Sequence, residues 1–226
     1  MSFTEGTFKF LAALAKHNNR DWFEQNKPRY EELVREPALA FIASLQAPMQ
    51  TLAPQFDVSA KKMGGSLMRV FRDTRFSNDK TPYKTNIGIQ FRHVTGKNVH
   101  APGFYIHLSP QECFLGAGMW HPEADALKKI RNYIHDNPYT WGMSVRDKTF
   151  RKYFSLEGDS LQRMPRGYSD SHEHAVDLKR KDFIAIHPFA TEEALKKSFG
   201  KFCLTRFAAT EEFMHTLCEA VDVVWK

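Results

Sequence analysis

The chain has 226 residues but only three cysteines, Cys113, Cys203 and Cys218, far apart and without a C-x-x-C pair. An odd, patternless set argues against a disulfide framework or a thiolate zinc site, and points to reduced thiols in a cytoplasmic protein. No run of about 18 apolar residues occurs, so no membrane-spanning helix and no membrane partner are expected. The first twenty residues have an early acid, no basic cluster and spaced apolar side chains, which is not the pattern of a secretion signal. Gly/Ser linkers, low-complexity tracts and internal repeats are missing too, so the expectation is one domain over residues 1–226. Also lacking are a phosphate-binding P-loop, G-x-G-x-x-G, G-x-S-x-G and H-E-x-x-H. No cofactor is expected.

Bulky apolar groups are plentiful: 19 phenylalanines and four tryptophans can fill a core. Their spacing changes along the chain. Phe8, Leu11 and Leu14 recur at helical intervals, and Asn18 or Asn19 can end that helix. Asp21 then opens a short turn carrying Trp22 and Phe23. A second helix starts near Asn26 and Pro28, and Pro37 should kink or divide it. From residue 63 to 120 the texture becomes strand-like. "SLMRVFRD" alternates weakly, "NIGIQFRHV" alternates cleanly, and "GFYIHLSP" and "CFLGAGMW" follow as a hairpin. Residues 121–226 return to helical periodicity, with one further strand at "FIAIH" and a break near Gly200. Helices over residues 1–55, a central sheet and a helix-rich C-terminal region predict an α+β fold: a mostly antiparallel sheet of about four to five strands flanked by helices.

Charge is uneven. The net charge is +6, yet residues 61–100 hold nine basic and two acidic residues, a local +7 that leaves the rest at −1. The densest part is "RVFRDTRFSNDKTPYKTN", from Arg69 to Asn86. Arg72, Arg75, Lys80 and Lys84 crowd a turn shaped by Ser77, Asn78, Asp79 and Pro82. Asp73 and Asp79 can neutralise them in a salt-bridge knot, or can orient arginine forks toward a bound anion. Tyr83, Thr74, Ser77 and Thr81 add hydroxyl donors. The candidate ligand site is therefore Arg69, Arg72, Asp73, Arg75, Asp79, Lys80, Tyr83 and Lys84. The expected ligand is a phosphorylated or acidic small molecule. A flat, outward cluster would instead suit an acidic protein partner, and nucleic acid is a less favoured partner because no recognised signature is present. Were there catalysis, Asp73 or Asp79 would be the base, a poor one beside so many cations.

Other segments have bland explanations beside functional ones. "NNRDWFEQNK" can rim a pocket with Asn19, Arg20 and Lys27, but asparagine at a helix end is more simply a cap. The glycines of "FLGAGMWHP" mark a bulge or the close approach of another group. Trp120 either closes a pocket edge or fills the core, the commoner use. Arg163, Arg166, Lys179, Arg180 and Lys181 form a second basic zone able to approach the first. His172 and His174 form H-x-H beside Glu173 and Asp177, too few converging ligands for a metal assignment.

The segments "FLAALAKHNNRDWFEQNKPRYE", "RVFRDTRFSNDKTPYKTN", "GFYIHLSP", "GAGMWHPE" and "MPRGYSDSHEHAVDLKRKDF" together resemble the uncharacterised bacterial and fungal family called domain of unknown function 2461. The resemblance runs from about Phe3 to Val223 and is most specific in "RDTRFSNDKTPYKT". It implies one complete domain and supplies no catalytic residue, cofactor or substrate.

Overall fold

The computed structural model describes residues 3–75, 78–96 and 102–226. Phe76, Ser77 and Lys97 of the basic segment lie outside them. Helix α1 (Glu5–Lys16) buries Phe8, Phe10, Leu11 and Leu14 along one stripe. Its successor departs from the expected turn. Asn19 caps α2 (Arg20–Tyr30) by accepting the Trp22 N–H at 2.9 Å, so Trp22 and Phe23 lie on a helix. The capping reading of this asparagine thus holds. Pro28 sits inside α2, a wider π turn follows over Glu31–Arg35, and α3 (Glu36–Leu52) continues through Pro48. Pro37 stands just after the wider turn in helical backbone that runs on from α2, so it does not divide the chain as expected; the π turn before it accommodates the ring and the missing N–H.

Among the described residues the sheet is antiparallel and has six strands, one or two more than expected. They are β1 (Phe56–Asp57), β2 (Ile87–His93), β3 (Gly103–Leu108), β4 (Cys113–Met119), β5 (Ser155–Glu157) and β6 (Phe183–Phe189). Their order is β1-β2-β3-β4-β6-β5. Residues 66–68 run beside β2 through an isolated bridge at Leu67, with the Met68 N–H donating to the Gly88 carbonyl at 2.9 Å. Between β4 and β5 lie α4 (Ala124–Asp136), α5 (Pro138–Arg146) and α6 (Lys148–Tyr153); α7 (Ala175–Leu178) precedes β6. The C-terminal helices are α8 (Thr191–Leu195), α9 (Phe199–Ala208) and α10 (Glu211–Ala220). Gly200 lies inside α9, so the break falls at 196–198 instead. Among the described residues no helix is long and apolar enough to cross a membrane.

Alternation decides what each face of the sheet meets. Ile87, Ile89 and Phe91, then Phe104, Ile106 and Leu108, then Leu115, Ala117 and Met119, then Phe183 and Ala185, are all buried on one face. Helical aromatics close over them. The Phe207 ring lies 4.8 Å from Phe104, and Trp141 packs edge-on against Phe183 at 5.7 Å. The opposite face carries Gly88 and Gln90, Gly103, Tyr105 and His107, Phe114, Gly116 and Gly118, and Ile184 and Ile186. There Gln90, Tyr105, His107, Phe114, Ile184 and Ile186 are only half-buried.

Candidate functional site

The basic segment folds as a short hairpin. The Lys84 N–H donates to the Val70 carbonyl (2.7 Å), and the Arg72 N–H to the Pro82 carbonyl (2.9 Å). Its aspartates are used within it. Asp79 accepts the Thr81 backbone N–H (2.9 Å) and hydroxyl (2.8 Å), and its other oxygen meets Arg72 Nη1 at 2.6 Å. Arg75 grips Asp73 with two donors, Nε at 3.0 Å and Nη2 at 2.7 Å. Lys80 Nζ donates to the Thr74 carbonyl at 2.9 Å. Tyr83 is 2% exposed, stacked on Phe23 at 4.0 Å, and its backbone is held on both sides by the Asn18 amide. It anchors the hairpin to α2 and does not present itself to solvent.

The two cations nearest the ends of the hairpin stand outside this knot. Among the described residues, Arg69 and Lys84 make no ion pair with a carboxylate. Lys84 is half-buried, and burial first, then the nearby Arg69 and Arg72 charges, hold its ammonium below the usual lysine range. The second basic zone is occupied locally: Lys179 pairs with Asp170 at 3.0 Å and Arg180 with Asp177 at 3.0 Å. His174 lies buried with Nε2 against the Pro138 carbonyl at 2.8 Å.

Asp73 has little capacity as a base. The Arg75 side chain and backbone N–H hold its carboxyl at about 2. A carboxyl depressed on folding supports the hairpin above the ordinary carboxylate range, and that support is lost as pH falls toward 2. A 13C titration of the Asp73 carboxyl is expected to show its midpoint near 2. In Arg75→Ala the midpoint should return toward the ordinary carboxylate range, near 4.

An apolar hollow of about 410 Å3 lies on the open face of the sheet, lined by Met68, Tyr105, His107, Phe114, Trp120, Ile184 and Ile186, among others. Register explains it. Gln90, Tyr105, Gly116 and Ile186 form one cross-strand row, and Gly103, Gly118 and Ile184 the next. Where neighbouring strands would raise side chains, glycines leave a floor of backbone. A Cβ on Gly116 would make only ordinary contacts, 3.5 Å from Ile186 and Tyr105, so the glycine keeps space open. Gly88 lets the Tyr105 hydroxyl lie over the backbone, because a Cβ there would come within 2.8 Å of it.

One wall is polar. The Tyr105 hydroxyl lies 3.3 Å from His107 Nδ1, and the Asn86 amide lies 3.5 Å from the same nitrogen. Burial pushes the Tyr105 phenol up to about 12 and lowers His107, so both stay neutral near pH 7. The Tyr105 hydroxyl has one proton, which serves His107 Nδ1 when that nitrogen accepts or a ligand oxygen in its place. Trp120 is 53% exposed at the rim, so the pocket-edge role holds and the core role does not. No sequence motif marks Tyr105 or His107. The period-two pattern that sets them on one face with Gly116 was the available signal.

The family model described as a conserved hypothetical protein, DUF2461, matches residues 6–215, and the chain belongs to that family. No curated protein and no solved structure matches it.

Proposed function

We propose that the protein binds a small ligand with an apolar body and one carboxylate or phosphate group. The body sits in the hollow, and Lys84 and Arg69 receive the anion. The observation that carries this reading is the hollow: a concave apolar space with a few polar groups on one wall is the usual form of a ligand site. The cations adjoin it along the chain. Arg69 follows Met68, a lining residue, and Lys84 precedes Asn86, whose amide touches the His107 wall, by two residues. A bound anion would relieve the mutual repulsion of Lys84, Arg69 and Arg72. In this reading Arg72, Asp73, Arg75, Asp79 and Lys80 shape the hairpin, and Tyr83 fixes it to α2. The three unpaired, buried thiols favour a reducing, cytoplasmic setting.

The probe for this reading is 1-anilinonaphthalene-8-sulfonate, which has an apolar body and one anionic group. Titration is expected to give saturable fluorescence. Gly116→Leu should weaken binding tenfold or more by filling the hollow. Lys84→Met should weaken it several-fold and reduce its salt dependence. Equal binding by wild type and Gly116→Leu would sink the proposal.

A further inference from the structure

His121 and Asp182 meet beside the rim of the hollow. Asp182 is 1% exposed and stands just before β6. Its Oδ1 accepts the His121 backbone N–H at 2.6 Å and lies 3.0 Å from His121 Nδ1. Its Oδ2 accepts the Asp159 N–H at 2.9 Å. The chain leaving β5 closes over this carboxylate at Gly158, whose φ of +102° no side chain tolerates easily and where a Cβ would lie 2.4 Å from the Asp182 Cβ. Three chain segments therefore meet at one buried carboxylate, and that carboxylate holds the His121 imidazole.

Two features exceed what a turn clamp requires. The backbone N–H contacts alone would fix the turn, yet the imidazole is bound as well. His121 also has φ +47°, and only one other described non-glycine residue, Asp222, has a positive φ. Backbone strain of this kind concentrates at functional sites. With Nδ1 donating to the buried carboxylate, the ring is held in the tautomer whose Nε2 accepts a proton. The side chain is 49% exposed, and Trp120, which lines the hollow, packs on its ring at 4.3 Å.

We infer that His121, positioned by Asp182, is the general base of a hydrolytic reaction on an ester whose apolar acyl chain occupies the hollow. This rests on the ligand reading of the hollow, and its product, a carboxylate, belongs to the ligand class proposed for it. In the reaction, water adds to the acyl carbon while Nε2 takes a water proton and the carbonyl pair moves onto oxygen. That pair then returns, the ester C–O bond breaks, and the imidazolium gives its proton to the departing oxygen.

The test is hydrolysis of p-nitrophenyl butyrate between pH 5 and 9, with 1-anilinonaphthalene-8-sulfonate binding measured in parallel. Wild type is expected to exceed the buffer rate, with activity appearing as one group deprotonates. H121Q should lose about 100-fold or more. D182N should also lose rate and should shift the pH profile. Dye binding should be unchanged in both variants, which separates this inference from the ligand reading. Should H121Q not fold, carbethoxylation of His121 in wild type is the readout: hydrolysis should fall as it is modified and return with hydroxylamine. Wild-type hydrolysis no faster than buffer, full activity in H121Q, or activity that survives carbethoxylation of His121 would each overturn the inference, even where the dye still binds.

Discussion

Gly118→Ala is expected to destabilise the protein by at least about 3 kcal/mol, at the large end for single substitutions. Gly118 has φ +122°, and a Cβ there would lie 2.1 Å from the Phe183 carbonyl oxygen, a backbone atom that cannot swing aside. The pairing of β4 with β6 would have to separate at Gly118↔Ile184, beside the hollow. Gly116→Ala, two residues away on the same face, meets only ordinary contacts and should change stability by less than about 1 kcal/mol. Urea unfolding of the two variants compares them directly. Equal midpoints would mean that Gly118 is not the pinned position the geometry describes.

Phe104→Ala should be of similar size, about 3–5 kcal/mol. The side chain is fully buried near the start of β3 and touches rings from three other parts of the chain: Phe56 at 5.0 Å, Phe207 at 4.8 Å and Trp225 at 6.3 Å. Those rings are fixed by the sheet, α9 and the C-terminal tail, so the vacated volume cannot close by moving one neighbour. For a chain of this length each kcal/mol is worth about 2–4 °C, so the melting point should fall by about 6–20 °C. A drop of a degree or two would mean that the site collapses freely.

How legible these features were depends on how local their cause is. The alternation of Ile87, Ile89 and Phe91 states a half-buried strand, and the structure places β2 at Ile87–His93. Strands β1 and β5 have two and three residues, too few for any period to register. The start of α2 was misread because Asp21, Pro28 and Pro37 look like punctuation. The Asn19 cap and the wider turn at Glu31–Arg35 carry the helix past them. In the hairpin, the pairings of Asp73 and Asp79 were legible because their partners lie within a few residues. The inward turn of Tyr83 was not, because Phe23, sixty residues earlier, decides it. The hollow and the His121–Asp182 pair are products of register and of long-range contact. No spacing along one segment encodes them.

The two rims of the sheet have a consequence for how these molecules behave when crowded. Exposed strand borders offer unpaired N–H and C=O groups to any neighbouring chain, and long flat ones seed intermolecular β-structure. Here the outermost strands in the order are the two shortest, Phe56–Asp57 and Ser155–Glu157, each with an acidic residue. Each border strand offers only two or three backbone sites and carries a carboxylate. Of the longer strands, β3 and β4 pair with strands of the same chain on both sides, while β2 and β6 are covered on their outer sides over part of their length, by β1 and β5.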